Sequence, residues 1–187
     1  MENDRNDIPG EPGVWVFVLG DMLIFGLFFC VYSYYRALDP EAFREAQLAL
    51  NQNFSAFNTL LLLISSWFVV LAMADLRERA GKLAPRLLLA AGSCGLGFVA
   101  VKAAEYTEII HAGIGITTND FFMYYFIFTG LHLVHVVIGI GVLALLFGLS
   151  RSEVSPRGLK LMESGSIYWH MVDLLWILLF PLLYLMP

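Results

Sequence analysis

Residues 121–149 read FFMYYFIFTGLHLVHVVIGIGVLALLFGL, 29 consecutive positions without one Asp, Glu, Lys or Arg. A hydrocarbon layer about 30 Å thick needs about 20 mostly apolar residues to cross it. This stretch exceeds that need, so it is expected to tilt or to run on into the headgroups. Membrane β-strands are short and alternate in polarity, whereas this run is continuous. Backbone groups in lipid must be satisfied within their own segment, so the stretch is a helix. Four further segments qualify by the same test, at 14–35, 55–74, 87–106 and 167–186. The expectation is an all-α polytopic protein, a bundle of five transmembrane helices forming a single membrane domain over residues 1–187.

Composition agrees. Of 187 residues, 59% are hydrophobic and 14% charged, with a mean hydropathy of +0.73, where soluble domains carry about 25% charged residues. The net charge of −5 comes without a basic stripe, which argues against a nucleic-acid partner. Cys30 and Cys94 lie in apolar runs outside any CxxC pair, so they are expected to be small buried hydrophobes. The opening MENDRNDIPGEPG is acidic and rich in turn residues. It lacks the basic region and cleavage site of a secretory signal, so the first apolar segment is expected to remain as a span. No internal repeat or low-complexity tract occurs.

The connections are short. Asp39-Pro40-Glu41 starts a helix with proline at its first position, and Phe43, Ala46 and Leu50 follow at helical spacing, which predicts a small interfacial helix. Gly81 and Pro85 break the chain before the third span. Asn119 or Asp120 is placed to cap the fourth, and Ser155-Pro156-Arg157-Gly158 turns into the fifth. Lys and Arg in the loops set orientation. Arg5, Arg77, Arg79, Lys82, Arg86, Arg151, Arg157 and Lys160 fall on one side, against Arg36 and Arg44 on the other. Eight against two predicts a cytoplasmic N-terminus and an outward-facing, periplasmic C-terminus in a plasma membrane.

Ionisable residues inside spans are costly and mark candidate functional sites. Here they are Asp21, Lys102, Glu105, His132, His135, His170 and Asp173. With a rise of 1.5 Å per residue, Asp21 and Asp173 fall about 5 Å inside the midplane, His170 about 10 Å inside and His135 near the middle. Lys102 and Glu105 fall about 7–11 Å toward the outer face. Lys102 with Glu105, His132 with His135, and His170 with Asp173 are three apart, on one helical face each. Trp169, Asp173 and Trp176 share another. One reading is a hydrogen-bonded packing network, each bond worth about 1 kcal/mol or less. The other is a cofactor or proton-path site. His132, His135, His170 and Asp173 have metal-binding chemistry, but two histidines on one helix cannot ligate both faces of one haem, and no HExxH pattern occurs. A charged carboxylate is costly in lipid, so Asp21 is the candidate proton antenna. Gly92, Gly95, Gly97, Gly139 and Gly141 permit tight helix packing.

These motifs resemble subunit III of haem-copper oxidases, the cytochrome c oxidase subunit III family. Thr129-Gly130-Leu131-His132-Leu133-Val134-His135-Val136 with Gly139 is similar to that family's TG-x-H-x-x-HV stretch. Tyr168-Trp169-His170-Met171-Val172-Asp173 with Trp176 resembles its YWHFVD-x-x-W motif, and Lys102 to Tyr106 its run ending in Glu-Tyr. Asn58 and Thr59, followed by Ser65 and Ser66, resemble its N-T-x-x-L-L-x-S-S pattern. The usual member has seven helices, of which these five correspond to the last five, and it carries glutamate where this chain has Asp21. Val18-Leu19-Gly20-Asp21-Met22 is most similar to the short branch associated with nitric oxide reductases, the NorE type, and tilts the expectation that way.

The resemblance implies a non-catalytic accessory subunit of a terminal oxidase or nitric oxide reductase in a respiratory chain. Its partners would be the catalytic subunit and membrane lipids. Haem, with or without copper, would reside in the catalytic subunit, and this chain would bind no cofactor or metal itself. Its work would be assembly, lipid binding and proton uptake, with Asn58, Lys102, Glu105, His132, His135, His170 and Asp173 as structural residues. The alternative reading is an independent small transporter or proton channel. The only proline within a span is Pro181, near its end, and no repeat supports that alternative.

Overall fold

The computed structural model describes residues 9–78, 82–152 and 155–186, and among these every regular element is helical. Helix α1 spans Pro12–Leu38, α2 Pro40–Leu48, α3 Gln52–Arg77, α4 Ala84–His111, α5 Asp120–Ser150 and α6 Pro156–Phe180. A π-helical turn, Pro181–Leu185, ends the chain's regular structure. All but α2 are long and apolar enough to cross a membrane. The protein is a multi-pass membrane protein.

Start signals are met by side chains that take orphan backbone N–H groups. Asp39 accepts from the Ala42 N–H at 3.2 Å, Asn119 from Phe122 at 2.9 Å and Ser155 from Gly158 at 3.1 Å. The start of α4 is capped from the previous helix instead, because one Asp75 oxygen accepts from Leu83 and Ala84, each at 2.9 Å. The sequence suggested a break at Gly81, which lies outside the described residues, as do Arg5 and Arg79 of the orientation argument.

The helices outrun the apolar segments, most of all α6, which begins eleven residues before 167. Its polar first turns still pack: Met162 is fully buried, and a Cβ on Gly165 would meet Val142 and Leu146 at 2.9 Å. Polarity there marks contact with the ends of other helices, not a loop.

Helix α6 is the hub, packing against α1, α3 and α5, while α3 pairs with α4 and α4 with α5. Half of its most apolar window is buried, against 11% for α1. Trp169 explains how the helices close around it. Alanine at Gly139 would place its Cβ 2.7 Å from two Trp169 ring carbons, and at Gly95 2.9 Å from a third. Two glycines on two helices therefore make the seat for one indole. Gly97 only touches Leu61 at 3.4 Å, and nothing approaches Gly92 or Gly141. Close packing thus belongs to Gly95 and Gly139, not to all five glycines.

Helix α1 packs through aromatic rings, with Phe25, Phe28, Phe29 and Tyr32 meeting His135 and Phe128 of α5. Short α2 lies across that end, Phe43 edge-on to Tyr32 and Phe121, with Phe43, Ala46 and Leu50 buried as their spacing required. The cysteines depart from expectation: Cys30 is exposed and Cys94 half-buried. In lipid a weakly polar thiol loses little by facing outward, so an apolar run does not imply a core position.

Candidate functional site

The polar residues form two separate groups. In the first, Lys102 Nζ donates to Glu105 Oε2 at 3.0 Å, Tyr184 OH at 2.8 Å and Tyr125 OH at 3.2 Å. Both tyrosine hydroxyls donate to Glu105 Oε1, at 2.6 Å from Tyr184 and 2.9 Å from Tyr125. The ammonium has three protons and three acceptors, so its donors are all used. The Tyr125 and Trp176 rings lie 4.9 and 5.2 Å away and add cation–π attraction. The Lys102 and Glu105 side chains are 0% and 1% exposed. Spacing found this ion pair but not its tyrosines. The one available signal was that a buried Tyr hydroxyl needs a partner.

In the second group, Asp21 Oδ2 lies 3.3 Å from His135 Nε2, joining α1 to α5, and both side chains keep slight exposure, 14% and 12%. His135 Nδ1 lies 2.8 Å from the Leu131 carbonyl oxygen. A carbonyl only accepts, so Nδ1 carries a hydrogen. A neutral ring would then turn its Nε2 lone pair toward a carboxylate oxygen. The contact is not a hydrogen bond: Asp21 Oδ2 is buried and has no hydrogen-bond partner among the described residues.

The family-like motifs bolt different helices together. On α6, Tyr168 OH donates to the His135 carbonyl at 3.2 Å, His170 Nδ1 meets Ser66 Oγ at 2.6 Å, and Trp176 Nε1 donates to Thr59 at 3.0 Å. Ser65 donates to the Ala91 carbonyl of α4 at 2.8 Å, and Tyr106 OH meets Thr129 Oγ1 at 2.6 Å. Trp169, Asp173 and Trp176 are buried together, as their common face implied.

His132 and His135 do not share a site. His132 is fully buried, stacked on Trp176 and edge-on to Phe98, whereas His135 faces α1. Nor do His132 and Asn58 join a hydrogen-bonded network: their side-chain polar atoms have no partner among the described residues. The four metal-competent side chains do not converge, and among the described residues no three of His, Cys, Asp or Glu gather to hold an ion.

The family model for cytochrome c oxidase subunit III matches residues 10–186. The chain belongs to that family. Quinol oxidase subunit 3 of Bacillus subtilis is 27% identical over 180 residues, covering 93% of this chain and 85% of the relative. Cytochrome c oxidase subunit 3 of Synechocystis is 30% identical over 179 residues, covering 93% and 74%. Heme-copper oxidase subunit I+III of Aeropyrum pernix is 28% identical over 180 residues, which is 92% of this chain but 22% of that protein. The 85% coverage bears on the five spans, because the Bacillus member of the subunit III family is little longer than this chain.

Proposed function

We propose that this chain is the non-catalytic accessory subunit of a bacterial haem-copper oxidase, held in the inner membrane with its N-terminus cytoplasmic. The family match across residues 10–186 carries the reading. The bolted helices support it, since a bundle fixed in one packing presents a constant face to a partner. The three relatives are named as oxidase subunits, which favours an oxygen-reducing partner over a nitric oxide reductase. Haem, with or without copper, belongs to that partner.

Three finer roles follow. Assembly rests on the bolts. Lipid binding rests on an apolar groove of about 340 Å³ between α1, α5 and α6, lined by Gly13, Phe17, Leu145, Leu149, Leu161 and Tyr168 among others, whose apolar walls suit an acyl chain. Proton supply rests on the Asp21–His135 pair, two ionisable side chains 3.3 Å apart that each keep slight exposure. Purification through a tag on this chain in mild detergent should co-isolate a larger haem-bearing subunit that consumes oxygen. Recovery of this chain alone across several detergents overturns the reading, and a partner that consumes only nitric oxide redirects it.

A further inference from the structure

Five side chains between helices α3, α4, α5 and α6 carry polar atoms that nothing in the bundle satisfies. Ser55 Oγ, both amide atoms of Asn58, both ring nitrogens of His132, Trp169 Nε1 and Asp173 Oδ1 are buried without a hydrogen-bond partner among the described residues. Ser55, Asn58, His132 and Trp169 are 0% exposed and Asp173 6%. Lipid offers such groups no partner. Left bare, each shifts the folding equilibrium about five- to 150-fold toward the unfolded chain. Five together reach the scale of a domain's whole net stability. A dry core does not bear that cost.

Contacts between helices fix the levels of these groups along the bundle. Trp169 lies against Gly95 and Gly139, while Trp176 stacks on His132 and donates to Thr59, the neighbour of Asn58. Lys102 Nζ lies 5.2 Å from the same Trp176 ring. At 1.5 Å per residue, Asp173 stands about 6 Å beyond Trp169, and the level of His132 and Asn58 about 4.5 Å further. Ser55 is about one turn beyond that, toward the Lys102–Glu105 cluster. Two hydrogen bonds to one water span about 5.5 Å. The clearest step lies on α6 itself. Trp169 and Asp173 are four apart on one face, a donor and an acceptor that do not bond each other. The six-membered edge of Trp169 is held against Gly95 and Gly139, so the ring is not free to turn.

We propose that the core between α3, α4, α5 and α6 is a water-binding site. Ordered waters sit among these five side chains, one accepting from Trp169 Nε1 and donating to Asp173 Oδ1, others serving His132 and Asn58. Water fits because the unpaired atoms include both donors and acceptors, and one water molecule supplies both. One buried water per about 27 residues is usual, which makes about seven for a chain of 187. Asn58, His132, Trp169 and Asp173 are then ligands of an internal water string that reaches toward the Lys102–Glu105 cluster. The inference stands on the bundle alone and holds whichever partner the subunit has.

The test is nuclear magnetic resonance on the folded full chain in lipid nanodiscs, with isotope-labelled tryptophan. The Trp169 indole N–H should show magnetisation transfer from water, and that of Trp176, which donates to Thr59, should not. Trp169→Phe and Trp176→Phe assign the two signals. Asp173→Leu should abolish the water signal at Trp169, while Asp173→Asn, which keeps an acceptor oxygen, should retain it. No water signal at Trp169 in the wild type, or one unchanged in Asp173→Leu, overturns the proposal; the wild-type reading needs no variant to fold. Stability gives a second measurement. In a hydrated core Asn58→Leu takes a ligand from the waters, so the unfolding equilibrium constant should rise about fivefold or more. In a dry core the same change removes an unsatisfied amide, so an Asn58→Leu chain as stable as wild type or more so overturns the proposal.

Discussion

The Lys102–Glu105 cluster and the Asp21–His135 pair are both charged groups inside the membrane, yet they are built oppositely. The first is sealed: two charges, two tyrosine hydroxyls and surrounding aromatic rings, with every ammonium proton assigned. The second is a single contact of 3.3 Å between residues that keep an edge exposed. The sealed cluster ties α4, α5 and the C-terminal turn together by hydrogen bonds. The open pair is one contact between partly exposed side chains, and losing it costs little packing. Burial and completeness of pairing, not charge itself, distinguish the two.

Four substitutions would break or sharpen this contrast. The largest effect is expected from Lys102→Met, which leaves Glu105 in the core without its cation and should cost about 3–5 kcal/mol. Unfolding of the purified protein in detergent measures it, and adding Glu105→Gln should restore much of the loss. A single variant as stable as wild type would show that the cluster is no lock. Gly139→Ala should cost about 1–3 kcal/mol by forcing Trp169 from its seat, whereas Gly141→Ala, with nothing within 4 Å, should be neutral in the same assay. Tyr184→Phe removes one donor to Glu105 and one acceptor of Lys102, and should cost about 1–2 kcal/mol. Asp21→Asn should cost less than about 1 kcal/mol, but sustained turnover of the complex should fall faster than in wild type. An unchanged activity time-course would remove the antenna role.

Much of this was legible in the sequence. Hydropathy gave five spans, Asp39, Asn119 and Ser155 marked helix starts, and spacing paired Lys102 with Glu105. Other features were not legible. Asp75 caps α4 across a turn, which depends on where two helix ends meet. Tyr184 reaches Glu105 because the π-helical turn after Pro181 brings it back onto α4. His132 and His135, three apart, part company because their helix lies between α1 on one side and α4 and α6 on the other.

The sequence by itself determined that the chain crosses lipid five times as helices, because backbone satisfaction and hydrocarbon thickness act on each segment locally. It also carried the family's motifs. Only the tertiary structure decided what each motif residue touches: Trp169 between two glycines, His170 on Ser66, Asp21 beside His135. The rotation of a helix about its own axis is set by the neighbours it packs against, and a single segment does not encode it.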